Sequence, residues 1–186
     1  MQKTKSNMAR VFFALWPEAS VQQALHKLAV EYRPRCNARA MRADSLHMTL
    51  QFMGEVERAR LPQLIQSASK VSVAPFGFNL ERLSFWKRNH IAYAAPQENV
   101  PALGQLVTAL KQELAMAGFQ LKSEEFVPHV TLLRNVEHIL EPQAITPIAW
   151  WADTFVLVES TVTDNGSRYQ VLHKWPLHLG YNQVLE

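Results

Sequence analysis

The chain has one cysteine, Cys36, in 186 residues. It can form no intrachain disulfide, which fits a reducing cytosolic setting. Long apolar runs are also missing, and nothing approaches the ~18 consecutive apolar residues of a membrane helix. The start Met-Gln-Lys-Thr-Lys is basic, but the apolar stretch Val11 to Trp16 ends at once in Pro17-Glu18. That is too short for the ~7–15-residue core of a secretory leader. A cytoplasmic protein without a membrane partner is expected. Only six glycines occur, with no Walker-type or GxGxxG loop to cradle a nucleotide. No low-complexity stretch and no Gly/Ser linker divides the chain. Charge of one sign is scarce too. Lys plus Arg number 19 against 16 Asp plus Glu, a net charge of +3. That balance is compatible with a polyanionic partner but too mild to demand one. At 48% hydrophobic and 19% charged, the composition is that of a globular protein. One two-lobed domain over 1–186 is expected, with 1–8 as a flexible extension.

Hydrophobic periodicity gives a mixed pattern. Residues 10–16 read as a buried strand. Val21, Ala24, Leu25, Leu28, Ala29 and Tyr32 follow at helical spacing, with Pro34 as the stop. Leu46 to Phe52 alternates as a second strand that Gly54 terminates. Leu61, Leu64, Ile65 and Ala68 repeat the helical spacing, and Phe76, Phe78 and Leu80 alternate as a third strand. The second half opens with a strand at Ile91 to Ala94. A helix follows through Leu103, Leu106, Val107, Leu110 and Leu114, with Asn99 as N-cap and Gly118 as its stop. Next come a strand at Val127 to Leu133 and a Pro-spaced loop from Glu141 to Pro147. Phe155 to Thr163 and Ser167 to Trp175 form a hairpin around Asp164-Asn165-Gly166. Strand–helix–strand over 10–52 recurs over 91–133. The expected fold is therefore α+β and bilobal. Each of two similar halves has a mainly antiparallel sheet with helices on its outer side, and a groove runs between them.

Two segments carry the chemistry: Leu46-His47-Met48-Thr49-Leu50 and Pro128-His129-Val130-Thr131-Leu132. Composition alone predicts about 0.3 His-x-Thr tripeptides. Two, each followed by Leu and each at the matching place in its half, are hard to ascribe to chance. Either motif alone would read as half-exposed strand residues. On a strand, His and Thr two residues apart share one face, ~7 Å apart along the chain. Two imidazoles facing each other can flank one phosphorus. One ring takes a proton from an attacking water and the other gives a proton to the departing oxygen. The hydroxyls of Thr49 and Thr131 can donate to non-bridging phosphate oxygens. A strained cyclic phosphodiester is a natural target, and no metal or other cofactor is required.

The pair resembles the HxTx signature of the two-histidine phosphoesterase superfamily. The flanks are closer still to the bacterial RNA 2′,3′-cyclic phosphodiesterases, long called 2′-5′ RNA ligases. The similar stretches run in that family's order from Arg10-Val-Phe-Phe-Ala-Leu to Ser167-Arg-Tyr169. The resemblance implies a hydrolase with a V-shaped groove and no metal. Such an enzyme opens 2′,3′-cyclic phosphates at RNA ends, or on small nucleotides, to leave a 2′-phosphate. It implies His47 as the acid and His129 as the base. Two alternatives are 2′-5′ ligation of tRNA halves and non-catalytic binding of RNA ends.

Arg134 has two open roles, substrate binding or a structural ion pair. Strict alternation places it on the face opposite His129, so it reaches the groove only if the strand bends or ends after Leu132. Phe52 and Phe126 are either base-stacking walls or core. His26, His90, His138, His173 and His178 fall to the background, with His26 solvated. A zinc site has no second ligand at suitable spacing from either motif. Nothing in the sequence requires an oligomer, so a monomer is expected.

Overall fold

The computed structural model describes residues 7–122, 125–163 and 166–179. Strand β1 (Met8–Leu15) is followed by α1 (Ala19–Cys36), β2 (Arg39–Ala40), β3 (Met48–Glu57) and α2 (Leu61–Ala68). Then come β4 (Phe76–Trp86), β5 (Ile91–Ala95), α3 (Pro101–Met116) and β6 (Val130–Arg134). Strands β7 (Gln143–Ala152), β8 (Thr154–Thr163) and β9 (Gly166–Pro176) complete the described elements. Two antiparallel sheets result, in the orders β3-β1-β8-β9 and β2-β6-β5-β4-β7. The repeated halves are real: β1 pairs with β3 in one sheet and β5 with β6 in the other. Among the described residues, no helix is long and apolar enough to cross a membrane.

The helices exchange sheets. Helix α1, which lies in the chain between β1 and β3 of the first sheet and leads into β2, packs on β6 and β7 of the second. Its Tyr32 hydroxyl is 3.1 Å from Gln143 Oε1 on β7. Helix α3, which connects two strands of the second sheet, packs with α2 and β3. One cluster of buried apolar side chains runs through both sheets and all three helices, including Phe13, Leu25, Leu64, Leu83, Leu106 and Leu132. On the opposite face of the first sheet, Phe12, Ala14, Val156 and Val158 form a second, smaller cluster.

Several boundaries differ from the sequence expectation. Helix α1 continues through Pro34 to Cys36. Proline there removes one late N–H, and Asn37 closes the helix in the left-handed region at φ 41°. Strand β3 continues through Gly54, which sits at φ 73° beside a shift in register with β1. The N-cap of α3 is Val100 rather than Asn99, and no side chain caps it. Pro101 opens the helix instead, where its missing N–H costs nothing. The expected Pro-spaced loop contains the start of β7, with Pro147 inside the strand. It is tolerated because β7 is a sheet edge. Strands β8 and β9 pair as expected, up to Thr163 opposite Gly166. The Asp164-Asn165 part of that turn signal lies outside the described residues. Met8 pairs with Glu57 in the first sheet, whereas residues 1–6 of the expected extension also lie outside.

Candidate active site

Each motif histidine stands on the last residue before its strand, ahead of Met48 in one case and Val130 in the other. The tight turn Ala43–Ser45 aims the Ser45 carbonyl at His47, whose Nδ1 lies 2.7 Å away. His129 repeats the arrangement, with Nδ1 2.7 Å from the carbonyl of Val127. A carbonyl can only accept, so both Nδ1 atoms carry the proton when the rings are neutral. This leaves Nε2 of each ring for a substrate. The latch reaches back two residues in both motifs, so the two imidazoles are set by the same local device.

Aromatic side chains hold the rings in place. His47 stacks on Trp16 at 5.1 Å with an interplanar angle of 4°. Phe12 stacks on it at 4.9 Å, and Tyr169 meets it edge-on at 5.1 Å. Trp86 and Tyr93 meet His129 edge-on at 4.4 Å and 5.6 Å. The sequence gives none of these five residues a role beside the histidines, although Phe12 and Tyr169 fall within the family-like stretches. The consecutive Phe12 and Phe13 also signal that both faces of β1 are covered by side chains.

The packing changes the acid–base character of both rings. Burial pulls His47 from the usual 6.5 to about 4, opposed by the Ser45 carbonyl and reinforced by His129 and Arg134 nearby. Burial also lowers His129, against the pull of the Val127 carbonyl. With no anion bound, both rings are therefore neutral at pH 7.

The sheets bring the two motifs together. His47, Thr49, His129, Thr131 and Arg134 line one cavity of about 350 Å³. A further cavity of about 310 Å³ opens from Thr49 and His129 between Phe52, Trp86 and Phe126. Both phenylalanines pack on the core and also line this cavity.

Arg134 reaches the cavity because β6 is not regular. Ala92 faces Leu133 while the next residue, Tyr93, faces Thr131, so Leu132 is an extra residue in a bulge. Leu132 and Leu133 are then both fully buried, and Arg134 returns to the face of Thr131. Strand β3 has the same bulge at Leu50, between Gln51 opposite Phe13 and Thr49 opposite Ala14. The bulge brings Phe52 to the place in the first motif that Arg134 holds in the second. No carboxylate pairs with Arg134 among the described residues, where the ion pairs are Arg42–Asp44 and Arg58–Glu159. Of the background histidines, His26 is half-buried rather than solvated. Its Nδ1 is 3.0 Å from the Met41 carbonyl, because α1 packs against the segment after β2. Among the described residues, no cluster of His, Cys, Asp and Glu has the makings of a metal site.

A family model described as LigT like phosphoesterase matches residues 15–93. A protein of Escherichia coli strain K12 named RNA 2′,3′-cyclic phosphodiesterase is 29% identical over 174 residues, covering 92% of this chain and 98% of that protein. A Thermotoga maritima protein of the same name is 30% identical over 141 residues, covering 70% of this chain and 75% of its own length. The crystal structure of E. coli LigT in apo form superposes with a TM-score of 0.82 at 26% identity. It covers 93% of this chain and 99% of that one.

Proposed function

The chain belongs to the RNA 2′,3′-cyclic phosphodiesterase family, and from that membership we propose that it hydrolyses 2′,3′-cyclic phosphates at RNA ends to 2′-phosphates through His47 and His129. One observation carries the assignment of residues. Two imidazoles with Nδ1 fixed by identical carbonyl latches line one cavity with two threonine hydroxyls.

In the proposed reaction, Nε2 of neutral His129 takes a proton from water as its oxygen attacks phosphorus. The bond from phosphorus to O3′ breaks in line, and protonated His47 gives its Nε2 proton to O3′. The bond to O2′ survives, so one water is consumed and a 2′-phosphomonoester remains. Thr49 and Thr131 donate to the non-bridging oxygens, and the Arg134 guanidinium offsets their charge. The low affinity of His47 for a proton suits this role once an anion is present. Substrate supplies the negative charge that draws a proton onto the ring, and an acid of low pKa donates readily to a leaving alkoxide. The side chains supply acid, base and charge without a metal.

The test is product analysis on an oligonucleotide ending in a 2′,3′-cyclic phosphate. A 2′-phosphate end is expected. A 3′-phosphate end would reverse the placement of the leaving oxygen. His47→Ala and His129→Ala should each lower turnover by at least ~10²-fold while the protein stays folded. Near-wild-type hydrolysis by either variant would overturn the mechanism.

A further inference from the structure

A cavity of about 320 Å³ adjoins the catalytic one and shares His47, Thr49 and Arg134 with it, but not His129 or Thr131. Three guanidiniums line it, those of Arg10, Arg39 and Arg134, together with Ser160, Ser167 and Tyr169. No carboxylate lines it among the described residues. Strands β2 and β6 place Arg39 directly opposite Arg134 in register. Like charges facing each other across a sheet are destabilising, and here nothing of opposite sign lies between them. Arg10 is held from below, its guanidinium 5.1 Å from the ring centre of Phe52. Arg39 is accommodated by a glycine. A Cβ on Gly166 would lie 3.1 Å from its Nη1, and Gly166 sits at φ 106°. Across β1 and β3 Arg10 faces Glu55, which does not line the cavity, and neither Arg10 nor Arg39 forms an ion pair among the described residues. Three guanidiniums around one cavity, with no carboxylate in its lining, suit an anionic ligand.

The reaction geometry says which anion. In-line displacement puts the attacking water beside His129 and the departing O3′ beside His47. The ribose carries O2′ and O3′, so the nucleoside and everything 5′ of it lie on the His47 side, where these arginines are. We propose that Arg10 and Arg39 bind the phosphodiester that joins the terminal nucleotide to the one before it. The site thereby selects polynucleotide ends over single nucleoside cyclic phosphates. This inference rests on the proposed catalytic reading, with His47 on the leaving-group side.

The experiment compares a dinucleotide ending in a 2′,3′-cyclic phosphate with the corresponding nucleoside 2′,3′-cyclic phosphate. Wild type should prefer the dinucleotide in kcat/KM. Arg10→Gln and Arg39→Gln should each cut that preference by about tenfold, the cost of a charge-assisted hydrogen bond. Lys174→Gln, an exposed charge on β9, should leave it unchanged. Added salt should weaken use of the dinucleotide more steeply than use of the nucleoside substrate. Equal losses on both substrates in the arginine variants, or no preference in wild type, would overturn the proposal. If wild type hydrolyses neither substrate, the catalytic reading fails. Binding of the dinucleotide 2′-phosphate against the nucleoside 2′-phosphate then still decides the subsite, since it needs no turnover.

Discussion

Removal of the His47 imidazole should change how the protein's stability responds to pH, even with no substrate present. In the folded protein this ring titrates near 4, and in the unfolded chain it returns to about 6.5. Below 6.5 the unfolded state therefore binds a proton that the native state refuses, and stability falls with falling pH. From those two values, the ring costs the fold only about 0.2 kcal/mol at pH 7 but of order 2 kcal/mol at pH 5. His47→Asn places an amide donor near the Nδ1 position, within reach of the Ser45 carbonyl, and abolishes the titration. It also forfeits the stacking on Trp16 and Phe12, but that loss is the same at both pH values. The assay is urea unfolding of wild type and variant at pH 7 and pH 5. The stability advantage of wild type over variant should shrink by roughly 2 kcal/mol on acidification. A gap that stays constant, or widens toward acid, would refute the claim that the aromatic enclosure holds this ring neutral.

Three other outcomes follow from the same geometry. The pH profile of kcat/KM should be bell-shaped with its maximum below about pH 6.5, because both free-enzyme histidines titrate below their usual value. A maximum above about pH 7.5 would contradict those shifts. Gly54→Ala should destabilise the fold by about 1–2 kcal/mol in urea titrations, since residue 54 sits at φ 73°. The new methyl itself meets only ordinary contact, 3.8 Å from the Phe52 ring, so unchanged stability would mean that the backbone there relaxes freely. Hydrolysis should persist in excess EDTA, measured on the cyclic-phosphate oligonucleotide. Loss of activity restored by a divalent cation would bring a metal into the mechanism.

What the sequence reveals of the site and what it hides have physical explanations. The two motifs were legible because the two-residue spacing of His and Thr is a local property of extended chain. So is the carbonyl latch, which reaches back only to Ser45 and Val127. The position of Arg134 was not legible, because one extra residue at Leu132 inverts every later assignment of faces. Prolines in the segment around β7 read as loop because they remove strand hydrogen bonds. Only the finished sheet reveals that Pro147 is at an edge, where one missing donor is harmless. The aromatic residues around His47 come from β1, the turn after it, and β9, so their convergence is a matter of tertiary packing. The same holds for the choice of sheet by each helix, since an apolar helical stripe does not specify which face it covers.

The exchange of helices means that the repeated halves cannot be taken apart. A chain cut between α2 and β4 would give a first fragment whose two long strands lack both α3 and the hairpin β8–β9. The second fragment would have four strands of its sheet with no α1 to cover them. Each piece would expose the apolar face that its counterpart buries. The two should therefore be insoluble singly and recover structure only when mixed.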